Sequence, residues 1–149
     1  ILLIIIILNA LGILYLGDSG SYTLSLFVGF FLINLSQINN TISPYLFVVL
    51  LWYPCFELLF SMIRRSLKKI KTYEPDTSHL HHLIYKKLNI YYKIKNNLIL
   101  HLLTVFIINF YNMFIFFVSK KYIYFSEILV LMIIINITVY IACYSFLKN

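Results

Sequence analysis

Two short segments of this sequence carry residues suited to chemistry on a phosphate. The first is Gly17-Asp18-Ser19-Gly20-Ser21. Asp18 is the only acidic residue before Glu57. One carboxylate, completed by phosphate oxygens and waters, is a common way to hold Mg²⁺. Gly17 and Gly20 let a ligand approach the backbone closely. Asp18, Ser19 or Ser21 can cap a following helix, whose free N–H groups favour an anion. An ordinary capped turn also accounts for the pentapeptide, so the spacing alone does not assign a role.

The second segment runs from Arg64 to Tyr92 and contains His79-Leu80-His81-His82. Pro75 stops any helix before it, and Asp76 is placed to cap a new one reaching to about Leu88. On that helix Leu80, Leu83, Ile84 and Leu88 form one apolar stripe, flanked by Lys86 and Lys87, which predicts an amphipathic helix at a membrane surface. His79 and His82 share a face one turn apart, and His81 is expected to project elsewhere. Three roles are open to the histidines: a transition-metal site, which no Cys or second ligand cluster supports; polar residues at the surface with no role; or contacts to an anionic substrate as donors or acid/base groups. Arg64 and Arg65 precede them. They can anchor a membrane helix by positive charge, or fork a phosphate by bidentate hydrogen bonding.

The elements that position these segments are membrane spans. The chain has 149 residues, of which 62% are hydrophobic and 11% charged. A soluble domain carries about a quarter charged residues. Apolar blocks fall near 1–16, 22–35, 44–63, 97–118 and 124–147. Crossing a bilayer takes about 20 helical residues, so the second, short for a span, is expected either to extend into Ser19–Ser21 or to tilt little. The expected fold class is therefore an all-α polytopic membrane bundle of roughly five transmembrane helices plus one interfacial amphipathic helix. Pro54 should kink or break the third span. Glu57, at membrane depth, is read as a structural ion-pair or hydrogen-bonding group. Asn34, Asn109, Asn112, Asn136 and Thr138 are expected to bond between helices, and His101 to pack or lie at an interface. Cys55 and Cys143 fall in apolar spans and read as buried free thiols. The chain opens on Ile1 inside an apolar run with neither a basic leader nor a cleavage site, so it is expected to start within a helix of a longer protein.

Charge sets the expected orientation. The net charge is +7, and nine of the 12 Lys and Arg lie between Arg64 and Lys95. Between membrane helices such a cluster marks a cytoplasmic loop beside anionic headgroups, not a nucleic-acid surface. The loop at about 64–96 is therefore expected on the cytoplasmic side. Counting spans back from it brings the 17–21 segment to that same face. Lys120 and Lys121 then fall outside, against the rule, and are outweighed.

The order of these features resembles the C-terminal part of the bacterial polyprenyl-phosphate sugar-1-phosphate transferases. A span leads into LGDSGS, two spans follow, and a basic loop ends in PDTSHLHH. The family includes enzymes forming undecaprenyl-diphosphate-GlcNAc and the phospho-MurNAc-pentapeptide transferase. His-Leu-His-His after Arg-Arg and Pro-Asp is more similar to the GlcNAc branch, since the other tends to three consecutive histidines. The resemblance covers roughly residues 10–90 by motif. It implies transfer of a HexNAc-type sugar-1-phosphate from a UDP-sugar to undecaprenyl phosphate, releasing UMP, at the cytoplasmic face of a bacterial inner membrane. By motif match Asp18 would hold Mg²⁺, and His79, His81 and His82 would line the nucleotide-sugar diphosphate site. Arg64 or Arg65 would contact that substrate, and Gly17, Ser19 and Gly20 would belong to the binding segment. The family's earlier aspartate pair and Asp-Gly segment have no match here. The chain alone is thus expected to be inactive, as the C-terminal part of one transmembrane transferase domain. Ser25 stands where the family often has Gly. The alternative is a non-catalytic polytopic protein, such as a transporter fragment or assembly subunit. A transporter should show polar residues at mid-membrane depth across several spans, whereas here the polar groups cluster at the expected cytoplasmic edge.

Overall fold

The structure is a computed structural model that describes residues 5, 8, 9, 11, 13, 14, 17–69, 76, 78–93 and 96–148. Among these the chain is helical, with no strand. The elements are α1 (Gly17–Ile38), α2 (Tyr45–Leu67), α3 (Leu80–Tyr92), α4 (Asn97–Ser119), a 3-10 turn (Lys120–Tyr122) and α5 (Ser126–Lys148). Helices α1, α2, α4 (with its 3-10 extension) and α5 are long and apolar enough to cross a membrane. The chain is a multi-pass membrane protein. Most of the expected span at 1–16 lies outside the described residues. The chain divides into two units, 1–42 and 43–149.

In the first unit α1 begins five residues before the span expected at Tyr22. Hydropathy reads Gly-Asp-Ser-Gly-Ser as a turn, but the structure winds it into the first turns of the helix. The hydroxyls explain how. Ser21 Oγ donates to the Gly17 carbonyl (2.9 Å), Thr23 Oγ1 to Ser19 (2.8 Å) and Ser25 Oγ to Ser21 (2.8 Å). Each small polar side chain is satisfied by its own helix four residues back, so polarity here does not break the helix. Ser19 and Ser21 are therefore helix-interior residues and not caps. Gly17, at φ +60°, takes the left-handed conformation that only glycine adopts without strain. Asp18 follows in the first turn and is exposed.

In the second unit α2 starts behind Pro44, whose fixed φ (−61°) suits a helix start. The helix runs unbroken through Pro54 and beyond the expected end at 63, so Arg64 and Arg65 occupy its last turn. Its N-terminal end meets the α4–α5 turn: the Ser43 N–H donates to the Ile123 carbonyl (2.9 Å), and the Ser43 and Ser126 hydroxyls pair at 2.8 Å. Its C-terminal end meets the last turns of α5 through Tyr144. The Lys120–Lys121 turn and the His79–His82 segment thus lie at opposite ends of this bundle.

Helix α3 caps the bundle at the second of these ends. Its stripe is spent against other helices. Leu80 is buried with Trp52, Tyr140 and Tyr144, and Leu83 and Ile84 pack around them. Lys93, in the left-handed conformation, ends α3, and the Asn96 side chain accepts from the Leu98 N–H (3.0 Å) to start α4.

Of the mid-helix polar residues expected to bond between helices, Asn136 does so, whereas Asn112 and Thr138 do not. Asn136, fully buried, accepts a 2.6 Å bond from the Tyr111 hydroxyl between helices. Asn112 and Thr138 bond their own helices, to Ile108 and Ile135. Cys55 and Cys143 are exposed, because they fall on outward faces of α2 and α5. Outward faces of membrane spans are apolar, so a thiol there is as well accommodated as one in the core.

Candidate functional site

The site candidates of the second unit gather where α2, α3 and α5 meet. Two clamps, each centred on a largely buried carboxylate, hold the segment leading into α3. The first is built on Arg64, 9% exposed and in the last turn of α2. Its Nη1 donates to the Ser78 carbonyl and to the Tyr144 hydroxyl (2.8 Å from it), and its Nη2 to Asp76 Oδ2 and, more distantly, to Ser61 Oγ (3.5 Å). Asp76 is only 10% exposed. Its other donors are the Ser61 hydroxyl at 2.6 Å and the Ser78 N–H at 2.9 Å.

The second clamp is built on Glu57, two turns earlier on α2. Its Oε1 accepts the Leu80 N–H (3.0 Å) and faces His79 Nδ1 at 2.9 Å. Its Oε2 accepts the Tyr140 hydroxyl at 2.6 Å. The cap of α3 is therefore supplied by a carboxylate of another helix. Asp76 does not cap α3 as expected. It closes a local turn onto Ser78, and His79 takes the extended N-cap position (φ −66°, ψ 151°) with no side-chain cap bond of its own.

That extended residue changes the geometry of the histidines. Regular helical spacing would separate His81 from the other two. Because His79 stands outside the helix, its ring stacks on His81 (centroids 5.5 Å apart, planes 12° apart). His81 and His82 are 4.2 Å apart and His79 and His82 6.3 Å. All three rings form one cluster, so His81 does not project elsewhere. Burial, and then the neighbouring His82 and His79, hold His81 below the ordinary imidazole value, with Glu57 pulling the other way. Burial pushes the Asp76 carboxyl up, but hydrogen bonds from Ser61 and Ser78 and the charges of Arg64 and His79 outweigh it and hold the group below its usual range.

Arg64 was a candidate for direct substrate contact. All of its Nη hydrogens have acceptors inside the fold, so it anchors the segment that carries the histidines. Arg65, half-buried beside it, is the outer of the pair. His101 is exposed and meets Tyr85 edge-on, with centroids 6.1 Å apart. Ser61, Ser78, Tyr140 and Tyr144 had no part in the sequence reading. The available signals were the seven-residue spacing of Glu57 and Arg64 and the four-residue spacing of Tyr140 and Tyr144, each placing two partners on one helix face.

Asp18, Gly17, Ser19 and Gly20 belong to the first unit, where Asp18 presents an exposed carboxylate. Among the described residues no three His, Cys, Asp or Glu side chains gather as a metal centre. The donor set does not fit a closed protein cage. A single exposed carboxylate such as Asp18 is what an open Mg²⁺ position, completed by phosphates and water, would need from a protein.

A curated protein of Bacillus subtilis (strain 168), named "Probable undecaprenyl-phosphate N-acetylglucosaminyl 1-phosphate transferase", is 36% identical to this chain over 74 residues. The match covers 46% of this chain and 20% of that protein, so it spans about a fifth of the relative's length. No family model and no solved structure matches the chain.

Proposed function

We propose that this chain contributes the histidine segment and a metal-binding carboxylate to a transferase that moves a HexNAc-type sugar-1-phosphate from a UDP-sugar to undecaprenyl phosphate. The observation that carries the reading is the three-histidine cluster, held by the two carboxylate-centred clamps at one end of a membrane helix bundle. Phosphoryl transfer asks a protein for positioning and charge stabilisation more than for covalent chemistry. A cluster of donors at the end of the spans, where a lipid phosphate and a soluble nucleotide sugar can meet, suits that demand. The similarity to the Bacillus subtilis transferase supports the same reaction class.

In this reading His79, His81 and His82 line the diphosphate. His81, held below the ordinary imidazole value, donates or accepts a hydrogen bond there. Arg64 fixes their segment through Asp76 and Ser78, and Arg65 follows it in the last turn of α2. Asp18, with Gly17, Ser19 and Gly20 around it, binds Mg²⁺, which neutralises developing charge on the phosphates. The motif segments face the cytoplasm, as the basic loop requires. The acidic residues of the family's earlier loops have no counterpart here, so the chain alone has no turnover. The test is UMP release from UDP-N-acetylglucosamine with undecaprenyl phosphate and Mg²⁺, measured on this chain co-produced with the amino-terminal portion of the Bacillus subtilis relative. A transferase must show release that depends on the lipid acceptor, and release that ignores the acceptor refutes the assignment.

A further inference from the structure

The histidine cluster has a support that the motif alone does not contain, a chain of contacts running Tyr140, Glu57, His79. We infer that Glu57, buttressed by Tyr140 of the last helix, is a positioning residue that fixes the hydrogen of His79 on Nδ1 and orients all three histidine rings. The inference rests on the reading of those rings as diphosphate contacts.

The geometry supports it in three steps. Glu57 Oε1 receives the Leu80 N–H at 3.0 Å, and Oε2 receives the Tyr140 hydroxyl at 2.6 Å. With donors arriving at both oxygens the carboxylate acts as an acceptor, so the ring nitrogen 2.9 Å away must present N–H to it. One oxygen thus holds both the first amide of α3 and the ring of the residue before it, which ties the imidazole plane to the helix. The orientation then passes on: His81 stacks on His79, and His82 lies against His81. The opposite edge of the His79 ring, Nε2, stands 3.6 Å from Asp76 Oδ2, so the Arg64 clamp bounds the ring on its other side. At metal sites a carboxylate orients a ligating histidine through its far nitrogen, and its loss typically costs about 10- to 100-fold in affinity or activity; a histidine that must face a diphosphate calls for the same orientation.

A cap with no further role needs only one oxygen on the Leu80 N–H. The separable quantity is the protonation of His79 Nδ1. The chain, with ring-¹⁵N histidine, is placed in lipid nanodiscs, and the His79 signals are identified by their loss in His79→Gln. The wild type should show Nδ1 protonated as a single species. Glu57→Leu should give averaged tautomers, while Glu57→Gln, which keeps an acceptor oxygen, should retain most of the Nδ1–H signal. Tyr140→Phe should produce partial averaging, and it carries the test should Glu57→Leu fail to fold. Averaged tautomers in the wild type, or an unchanged His79 in both Glu57→Leu and Tyr140→Phe, overturn the inference. Titration with UDP-N-acetylglucosamine separates the underlying reading. Shifts of the wild-type ring nitrogens, weakened about tenfold or more in Glu57→Leu and largely recovered in Glu57→Gln, support both. An intact Nδ1–H signal with no shift on titration overturns the diphosphate reading and leaves Glu57 a helix anchor only.

Discussion

Replacing Arg64 by Met should destabilise the second unit by about 3 kcal/mol and release the segment before α3. Truncating one member of a buried ion pair costs about 3–5 kcal/mol, because the other charge stays behind uncompensated. The buried scale applies, since Arg64 and Asp76 are 9% and 10% exposed. An exposed pair contributes about 0–1 kcal/mol. The low end is expected because Asp76 keeps two donors, the Ser61 hydroxyl at 2.6 Å and the Ser78 N–H at 2.9 Å. The Tyr144 hydroxyl and the Ser78 carbonyl lose their donor as well. Methionine keeps most of the aliphatic stem, so lost packing contributes little. Asp76→Asn removes the stranded charge, so the double variant should cost less than the sum of the single ones by about 1.5 kcal/mol or more. The assay is reversible unfolding in mixed micelles, with hydrogen exchange followed at the Ser78 and Leu80 amides. A cost below about 1 kcal/mol for Arg64→Met, or strict additivity with Asp76→Asn, refutes the clamp.

The other predictions concern single contacts and pH. Tyr144→Phe removes one neutral acceptor from Arg64 and should cost about 1.5 kcal/mol in the same unfolding assay. Asn136→Leu strands the Tyr111 hydroxyl and should cost about 1–2 kcal/mol, whereas Asn136→Leu with Tyr111→Phe removes both partners and should be close to neutral. Acidification should destabilise the unit in two stages. As pH falls below about 6.5 the unfolded chain protonates His81 before the folded one does, so stability declines there, and His81→Asn should remove that stage. Asp76 is held below its usual range, so its contribution is complete above the ordinary carboxylate value and is lost as pH falls through its lowered one. Asp76→Asn should flatten that second stage.

Much of the fold can be read from the order of residues, because a bilayer leaves a chain few choices. Apolar blocks bounded by basic or small polar residues place α2, α4 and α5 within a few residues of their ends. The same rule errs at Gly17–Ser21, where Ser21, Thr23 and Ser25 bond back to their own helix and so continue it. It also misses that Arg64 and Arg65 complete a helical turn before the basic loop begins. The candidate site is legible in type but not in arrangement. Three histidines and two arginines stand out by composition, yet the cap of α3 comes from Glu57, 23 residues before Leu80, and no local pattern announces a partner on another helix. His81 is misplaced by helical spacing because the residue before α3 is extended. Tyr140 and Tyr144 sit in an apolar span, and only packing shows which of its faces turns inward.

The most direct test of the central claim is UMP formation from UDP-N-acetylglucosamine, undecaprenyl phosphate and Mg²⁺. It is measured for the chain alone and for the chain co-produced with the amino-terminal portion of the Bacillus subtilis relative. The account predicts no turnover by the chain alone. For the co-purifying pair it predicts turnover that Asp18→Asn and His82→Ala each abolish while the pair still assembles. Turnover by the chain alone contradicts the incomplete site. An assembled pair that forms no UMP, or one indifferent to Asp18→Asn and His82→Ala, contradicts the transferase reading itself.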